Sequence, residues 1–184
     1  DTYNPGSFLV NSVELEIGGQ KIDKHTGDWM ETWAELTEPN PSGSVTDAQG
    51  AIGTLFQKMS GMGGYDSAGA SGGQLNNGKL FIPLFFWFCR NPGLALPLIA
   101  LQYHEVKVIL DHRITAIVGT GDTKLWCDYI YLDTDERRRF AQVSHEYLIE
   151  QLQYQSLTAS TSTKLNFNHP VKELIWTSAA TNAY

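Results

Sequence analysis

Long hydrophobic runs are missing from this sequence. No apolar stretch reaches the roughly 18–20 residues that a bilayer-spanning helix needs; the richest run, Leu80–Cys89, is interrupted by Pro83. We therefore predict no transmembrane segment. Hydrophobic residues still make up 42% of the 184 residues, which is enough for one domain with a real core and too much for a disordered chain.

Basic residues are also scarce. The chain has 13 Lys and Arg against 20 Asp and Glu, for a net charge of −7. A nucleic-acid groove needs clustered cations to neutralise phosphates. The only dense basic run, Arg137–Arg139, directly follows Asp133, Asp135 and Glu136. We therefore expect no direct contact with nucleic acid.

The residues that support metal or covalent chemistry are few and badly spaced. The two cysteines, Cys89 and Cys127, lie in apolar runs and are expected to be buried free thiols. No G-x-S-x-G or phosphate-binding loop motif occurs. The histidines lack the spacing of metal ligands, and we expect His145 to hydrogen-bond Glu146. The sequence thus predicts no catalytic, cofactor or metal site. The histidines are His25, His104, His112, His145 and His169.

Acidic pairs are the remaining candidates for catalysis, and each has a simpler explanation. Glu14 and Glu16 share one face of a predicted strand with Lys21 on the return arm, which is typical of a solvated face or a rim between subunits. Asp133 and Glu136 fit the start of a helix. For Arg137–Arg139 two interpretations stay open, a solvated helix face and pairing with acids on a neighbouring subunit.

Alternation of apolar and polar residues predicts an antiparallel β-protein. Phe8–Ile17 alternates, Gly18-Gly19 is a two-residue turn, and Gln20–Lys24 forms the return arm. About seven or eight short strands and two or three short helices indicate an all-β sandwich or jelly roll. Further strands are expected at Lys79–Cys89, Tyr103–Arg113, Leu125–Leu132, around Leu165 and Phe167, and at Val171–Thr177. The residues expected to fill the core are Val13, Leu15, Val106 and Val108.

Two helices have start signals. Asp28 and Glu31 are spaced as a capping box, with Trp29, Trp33 and Leu36 on one face and Pro39 beyond the end. Asp133 and Glu136 predict a second, short helix. Residues 147–154 fit a helix and a strand equally well.

Residues 42–78 differ in composition from the rest of the chain. Ten of these 37 positions are glycine, and a weak helical pattern at Ile52, Leu55, Phe56 and Met59 has Asp47 as a possible cap. We expect a long surface loop that carries a short helix. A loop of this length is usually functional, and we place it at one end of the barrel, in a projecting tower or a contact between subunits.

Three long stretches together closely resemble the major capsid protein of nucleocytoplasmic large DNA viruses, over roughly residues 8–178. Such ordered matches are more specific than any short motif. The first stretch comprises Val13–Gln20, Ile22–His25 and Asp28-Trp29; the second Ile82–Leu84, Phe88–Pro97 and Leu101–Val106; the third Asp128–Asp133, Glu136–Phe140 and Phe167–Lys172.

This resemblance implies a fold and a role. That family builds each subunit from two consecutive eight-stranded jelly rolls, and three subunits form a pseudo-hexagonal capsomer that tiles an icosahedral shell. Residues 1–184 are then the N-terminal jelly roll, incomplete because its opening strands and the second jelly roll are absent from this chain. The implied partners are copies of itself as a homotrimer, neighbouring capsomers, and minor capsid and penton proteins.

The resemblance also implies a location and excludes chemistry. The protein belongs to the virion, assembles in the host cytoplasm, is not an enzyme and needs no cofactor. Two other functions fit a jelly roll without the resemblance. One is a lectin-like carbohydrate-binding module, which would expose Trp or Tyr on a concave face. The other is a glycoside hydrolase or lyase, which needs two carboxylates about 5–10 Å apart in a cleft.

Overall fold

The computed structural model describes residues 3–43, 53–65, 79–113, 123–157 and 161–177. The chain forms two compact units, Asp1–Leu152 and Gln153–Tyr184. All regular elements of the described residues lie in the first unit. They are helix α1 (Pro5–Leu9), strands β1 (Val10–Ile17) and β2 (Gln20–Thr26), helices α2 (Gly27–Thr37), α3 (Leu55–Ser60) and α4 (Trp87–Arg90), a 3₁₀ turn (Pro92–Leu94), strand β3 (Val106–His112) and helix α5 (Thr134–Gln142).

The three strands form one antiparallel sheet in the order β2-β1-β3. The predicted hairpin is present, and both residues of its turn have positive φ, 60° at Gly18 and 79° at Gly19, which glycine adopts without steric cost. The strand predicted from Phe8 begins only at Val10. Pro5 instead opens helix α1, since proline is pre-organised for a first helical position.

A bulge shifts the register of the hairpin by one residue. Glu16 pairs with Lys21, whereas Leu15, which precedes Glu16 in β1, pairs with Asp23. Ile22 therefore has no opposite residue in β1. Without that extra residue, Leu15 would face Ile22. The shift places Asp23 and His25 opposite Leu15 and Val13, on the core side of the sheet.

The core lies against one face of this sheet. Val13 and Leu15 are fully buried, and Val106 and Val108 from the neighbouring β3 pack against them. The four residues expected in the core are therefore confirmed. The other buried members come from the start of β1, from α2, from loops and from the start of α4: Val10, Met30, Ala34, Met62, Phe85, Phe86 and Trp87.

Helix α2 begins and packs differently from the prediction. Its cap is Thr26, whose hydroxyl accepts a hydrogen bond from the Trp29 backbone N–H, so Asp28 lies inside the first turn. The buried stripe is Met30 and Ala34, while Leu36 is exposed. The capping box was therefore wrong, because Thr26 takes the capping position two residues earlier, and Leu36 was wrongly placed on the buried face. Trp33 of the predicted face is partly buried and packs against the core. The end before Pro39 is confirmed.

Part of the glycine-rich segment is packed into the protein. The described residues 53–65 contain the expected short helix, α3, which is capped by a reciprocal Thr54–Gln57 box; the proposed cap Asp47 lies outside the described residues. Met62 has no exposed surface and joins the core. A surface position is therefore wrong for this part, since Met62 belongs to the same buried cluster as residues of β1 and α2.

Several predicted strands have no β-ladder in the described part of the chain. Residues 79–86 are irregular and lead into α4, while 123–133 and 171–177 have no regular structure, and the same holds for 147–154 and 161–168. Apolar runs without alternation do not distinguish a strand from another buried segment. A strand also needs a partner backbone to form.

Gly27 offers a direct test of this packing. A methyl group at Gly27 would overlap the carbonyl oxygens of Ser7 and Val10, so Gly27→Ala should lower the free energy of unfolding by about 1–3 kcal/mol. Gly43 is the control, because an added methyl there would make only an ordinary contact with Thr54. Urea denaturation of both variants measures the difference; equal stabilities would contradict the close approach.

Candidate functional site

The solvent side of the sheet carries a ladder of ion pairs. The Glu14 carboxylate lies 2.9 Å from Lys21 Nζ and 2.5 Å from Lys24 Nζ, and Glu16 lies 3.7 Å from Lys107 Nζ. The lysine side chains are about half exposed. The two carboxylates are thus neutralised by partners on both neighbouring strands, which accounts for them without proton transfer.

The ion pairs change the ionisation of Glu14. Hydrogen bonds from Lys24 and then Lys21 hold the pKa of Glu14 below its usual range. A carboxylate with a lowered folded-state pKa contributes stability above its unfolded pKa. That contribution is lost as the pH falls through the folded-state pKa.

This electrostatic contact is testable by titration. Lys24→Met should raise the pKa of Glu14, since it removes the largest cause of the lowering. Titration of the Glu14 carboxyl carbon by NMR measures the change. Lys107→Met is the control because Lys107 contacts Glu16, and it should leave the Glu14 titration unchanged. Equal shifts in both variants would contradict the assignment.

A polar pair lies beneath the sheet, inside the core. Asp23 and His25 are almost fully buried, and His25 Nε2 lies 3.0 Å from Asp23 Oδ2. Neither ring nitrogen has an aligned hydrogen-bond partner in the described residues, so the contact lacks the geometry of a directed hydrogen bond. The imidazole stacks on Phe86, with ring centroids 4.7 Å apart.

The same buried carboxylate holds a distant part of the chain. Asp23 Oδ1 accepts hydrogen bonds from the backbone N–H groups of Lys24 at 2.9 Å and Leu152 at 3.0 Å. The Gln151 side chain donates to the carbonyl of Ile22, the bulged residue. Residues 151–152 are therefore anchored along the outer edge of β2. The sequence pattern did not predict this site, because its only signal was the register of a hairpin that contains a bulge.

An arginine anchors the residue that precedes this segment. Arg90 forms a 2.6 Å ion pair with Glu150 and donates from Nε to the Phe85 carbonyl at 3.1 Å. Its guanidinium also lies 4.2 Å from the centroid of a Trp33 ring. Three contacts fix this arginine, so it joins α2, α4 and Glu150 as one unit.

Glu31 fixes the described end of the glycine-rich segment. One carboxylate oxygen accepts from the backbone N–H groups of Gly63 at 2.7 Å and Gly64 at 3.2 Å, and the other accepts from the Ser7 hydroxyl at 3.0 Å. Both glycines have φ of 75°. Glu31, which was predicted to help cap α2, thus links α2 to α1 and to residues 63–64 by hydrogen bonds.

An aromatic segment, residues 123–133, lies uncovered in the first unit. Trp126 is 81% exposed and Tyr131 89% exposed. Side chains of this size rarely stay in water unless a partner covers them, so such clusters mark contact surfaces. The exposed large side chains of the segment are Leu125, Trp126, Tyr129, Ile130 and Tyr131.

Helix α5 follows the aromatic segment, and none of its residues is buried. The predicted start is confirmed, because the Asp133 carboxylate accepts from the Glu136 N–H at 2.9 Å. Arg138 lies 3.6 Å from Asp135 on the same helix. Within the described ranges Arg137 and Arg139 have no ion-pair partner, which leaves two guanidinium groups in solvent.

Two smaller predictions are corrected. His145 does not pair with Glu146; its Nε2 lies 2.7 Å from the Phe140 carbonyl oxygen and its ring stacks on Phe140. Cys89 and Cys127 are free but exposed, not buried. Cys127 lies in the exposed aromatic segment, whereas Cys89 follows the buried residues Phe85–Trp87 and is itself left at the surface. Across the described residues, no three His, Cys, Asp or Glu side chains meet as a metal site, and no helix is long and apolar enough to cross a membrane.

The second unit is held by glutamine side chains. The Gln153 amide donates to the Asn168 carbonyl at 3.0 Å and accepts from the Asn168 N–H at 2.9 Å. Gln155 does the same with the Lys164 carbonyl and the Asn166 N–H. The two side-chain amides thus form, with the backbone of residues 164–168, the hydrogen bonds that a neighbouring strand would otherwise form. Trp176 of this unit is also largely exposed.

Comparison with known families decides the identity of the chain. Residues 2–133 match the family model of the major capsid protein N-terminus, and residues 136–184 match that of the large eukaryotic DNA virus major capsid protein. The chain belongs to the major capsid protein family. The junction between the two matches falls at the first turn of α5. The resemblance found in the sequence is therefore confirmed.

Relatives of this capsid family chain are viral shell proteins. It is 53% identical to the major capsid protein of Pyramimonas orientalis virus, over 95% of this chain and 43% of that protein. It is 42% identical to the major capsid protein of Paramecium bursaria Chlorella virus 1, over 95% of this chain and 41% of that protein. The chain thus spans about two fifths of the length of these relatives.

A solved structure supports the fold. A quasi-atomic model of the PBCV-1 virus capsid matches with a TM-score of 0.60 and 38% identity, covering 92% of this chain and 42% of that one. The predicted fold class, an antiparallel viral jelly roll with short helices, is confirmed. The three-stranded sheet β2-β1-β3 is the part of it whose ladders are formed in the described residues.

Proposed function

We propose that this chain is the N-terminal jelly-roll portion of a capsid shell subunit, which trimerises into pseudo-hexagonal capsomers that tile an icosahedral shell. Membership of the major capsid protein family carries the proposal. A shell subunit needs shape and covered surfaces rather than a reactive centre. Its location is then the virion, after assembly in the host cytoplasm.

The distribution of exposed side chains supports self-association. The aromatic segment presents Trp126 and Tyr131 to solvent, and such side chains are enriched where proteins meet. Other loops also contain partly exposed apolar residues, such as Phe81. We expect these surfaces to be covered by other copies and by minor capsid and penton proteins.

The charge distribution supports a structural role rather than an enzymatic or nucleic-acid-binding one. Glu14 and Glu16 are paired with lysines, and Glu31 is occupied by backbone donors. The chain carries a net charge of −7, which disfavours contact with a phosphate backbone. The proposed subunit therefore acts by burial and contact alone.

Assembly of the full-length gene product tests this function. We expect sedimentation velocity to give a trimer at micromolar concentration, and electron microscopy to locate residues 1–184 within a pseudo-hexagonal capsomer of the particle. A stable monomer that joins no larger assembly would contradict the proposal.

A carbohydrate-binding module is the second candidate, and the exposed Trp126 favours it. Sugar rings stack on exposed indoles and phenols, so the aromatic segment would be its binding surface. A glycan array with the full-length protein separates the two functions. Specific binding that Trp126→Ala abolishes, without a change in assembly, would favour the lectin.

A further inference from the structure

Helix α5 presents an unpartnered basic face. Its nine residues include none that are buried, and Arg137 and Arg139 have no ion pair in the part of the chain that the structure describes. Arg138 already contacts Asp135. Since the chain carries seven net negative charges, copies repel each other at long range. This arginine run is the only dense positive group that could offset that repulsion.

Helix α2 presents the opposite charge. Asp28, Glu31 and Glu35 follow one another at spacings of three and four, which places them on one helix face. Glu38 caps the C-terminal end, and residues 27–37 contain no Lys or Arg. Glu35 and Glu38 lie at the C-terminal end, where the helix dipole disfavours negative charge. Partial burial, and next the charge of Glu31, raise the pKa of Glu35. The acidic face is therefore unfavourable until a cation meets it.

We propose that Arg137 and Arg139 on α5 of one copy dock against Glu35 on α2 and Glu38 at the C-cap of α2 of a neighbouring copy. Both faces belong to the first unit and each lacks an ionic partner among the described residues of its own chain. A second copy supplies the missing charge to each. The inference rests on the proposed function as a self-assembling shell subunit, and adds which two elements meet.

The neighbouring residues favour a protein partner over a nucleic acid. Asp133, Asp135 and Glu136 form the first turn of the same helix, so a phosphate backbone along α5 would be repelled at one end. Individual carboxylates on a second protein helix can instead each pair with one arginine. Arginine is also suited to planar pairing with carboxylates.

Charge reversal in the full-length gene product tests the contact. We expect Arg137→Glu with Arg139→Glu, and separately Glu35→Lys with Glu38→Lys, each to raise the concentration for half-assembly about tenfold at low salt, the size expected for losing two exposed pairs and gaining repulsion. Combining all four substitutions should restore assembly, because the pairs are reformed with opposite sign. Sedimentation velocity measures each concentration.

A matched variant separates charge from shape. Arg137→Lys with Arg139→Lys keeps both charges and should assemble within about threefold of the unmodified protein, since exposed pairs depend mainly on charge. Thermal melting of every variant should match the parent, because none of the four side chains belongs to the buried core. About 1 M salt, which shortens screening to roughly 3 Å, should weaken assembly of the parent and of the fourfold variant alike.

The outcomes for this contact and for the proposed function are distinct. If the unmodified full-length protein does not self-assemble, the proposed function fails. If it assembles and both double reversals assemble equally well, only the α2–α5 contact is overturned. A fourfold variant that folds but does not regain assembly also overturns the contact, since the losses then have another cause.

Discussion

Replacing Phe86 by alanine should lower the free energy of unfolding by about 3–5 kcal/mol, the usual cost of emptying a buried aromatic position. Phe86 has no exposed surface, stacks on His25 and lies with its ring centroid 5.7 Å from that of Phe88. Its removal leaves a cavity between the sheet and α4 and takes the stacking partner from a buried imidazole. Denaturant unfolding measures the loss.

Phe81 is the matched control for this cavity. It has the same side chain in the same irregular segment but is 45% exposed, and the backbone N–H that bonds the Met59 carbonyl survives substitution. Phe81→Ala should therefore cost less than about 1.5 kcal/mol, the area term for half of an aromatic side chain. Losses of similar size at both positions would show that the segment is not anchored at Phe86.

Local signals in the sequence were sufficient for the hairpin and for α5. A two-glycine turn between alternating segments fixes an antiparallel pair, and Asp133 three residues before Glu136 fixes a helix start; both are present. These predictions succeed because every interaction they use joins residues close in the chain. The alternation of Val13 and Leu15 likewise identifies the buried face of β1.

The bulge at Ile22 marks where local reasoning stops. An ideal two-residue hairpin would pair Glu14 with Asp23 and leave the aspartate on the solvent face. The extra residue reverses the faces of β2, so that Lys24 meets Glu14 and Asp23 enters the core. No residue type in this stretch announces a bulge, so the buried pair was not predictable from alternation.

Longer apolar segments fail for a different reason. Phe85, Phe86 and Trp87 are buried in succession. A strand or a helix that packs on one side only would leave at least one of three consecutive residues exposed. In the aromatic segment the residues are equally apolar but exposed. Composition shows that a segment needs cover, whereas only the three-dimensional arrangement shows whether the chain itself provides that cover.

Of the proposed contact, the sequence revealed one half. The arginine run of α5 was recognised together with the possibility of acids on a neighbouring subunit. The acidic face of α2 is readable from the spacing of Glu31, Glu35 and Glu38, but Trp29 and Trp33 directed the interpretation of that helix to its apolar side. Only the structure shows that Glu31 already accepts hydrogen bonds from backbone N–H groups. Glu35 and Glu38 then remain as the unpaired carboxylates among the described residues of this face.

Asp23→Ala should be about as destabilising as the loss of Phe86, at roughly 3–5 kcal/mol, because each buried donor left without its acceptor costs about 1–3 kcal/mol. The substitution leaves the Lys24 and Leu152 amides without their acceptor and removes the carboxylate that contacts His25. Denaturant unfolding gives the total loss. Hydrogen exchange at the Leu152 amide should accelerate, because that N–H loses its bond to the carboxylate.

Asp23→Asn divides that loss into its two causes. The asparagine oxygen still accepts from Lys24 and Leu152, so the Leu152 amide should stay protected and only the contact with His25 should weaken. The loss should then be about 1–3 kcal/mol, the cost of one compromised buried polar group. If asparagine costs as much as alanine while Leu152 stays protected, the contact with His25 dominates; if Leu152 stays protected even in Asp23→Ala, the anchoring of residues 151–152 does not depend on Asp23 Oδ1.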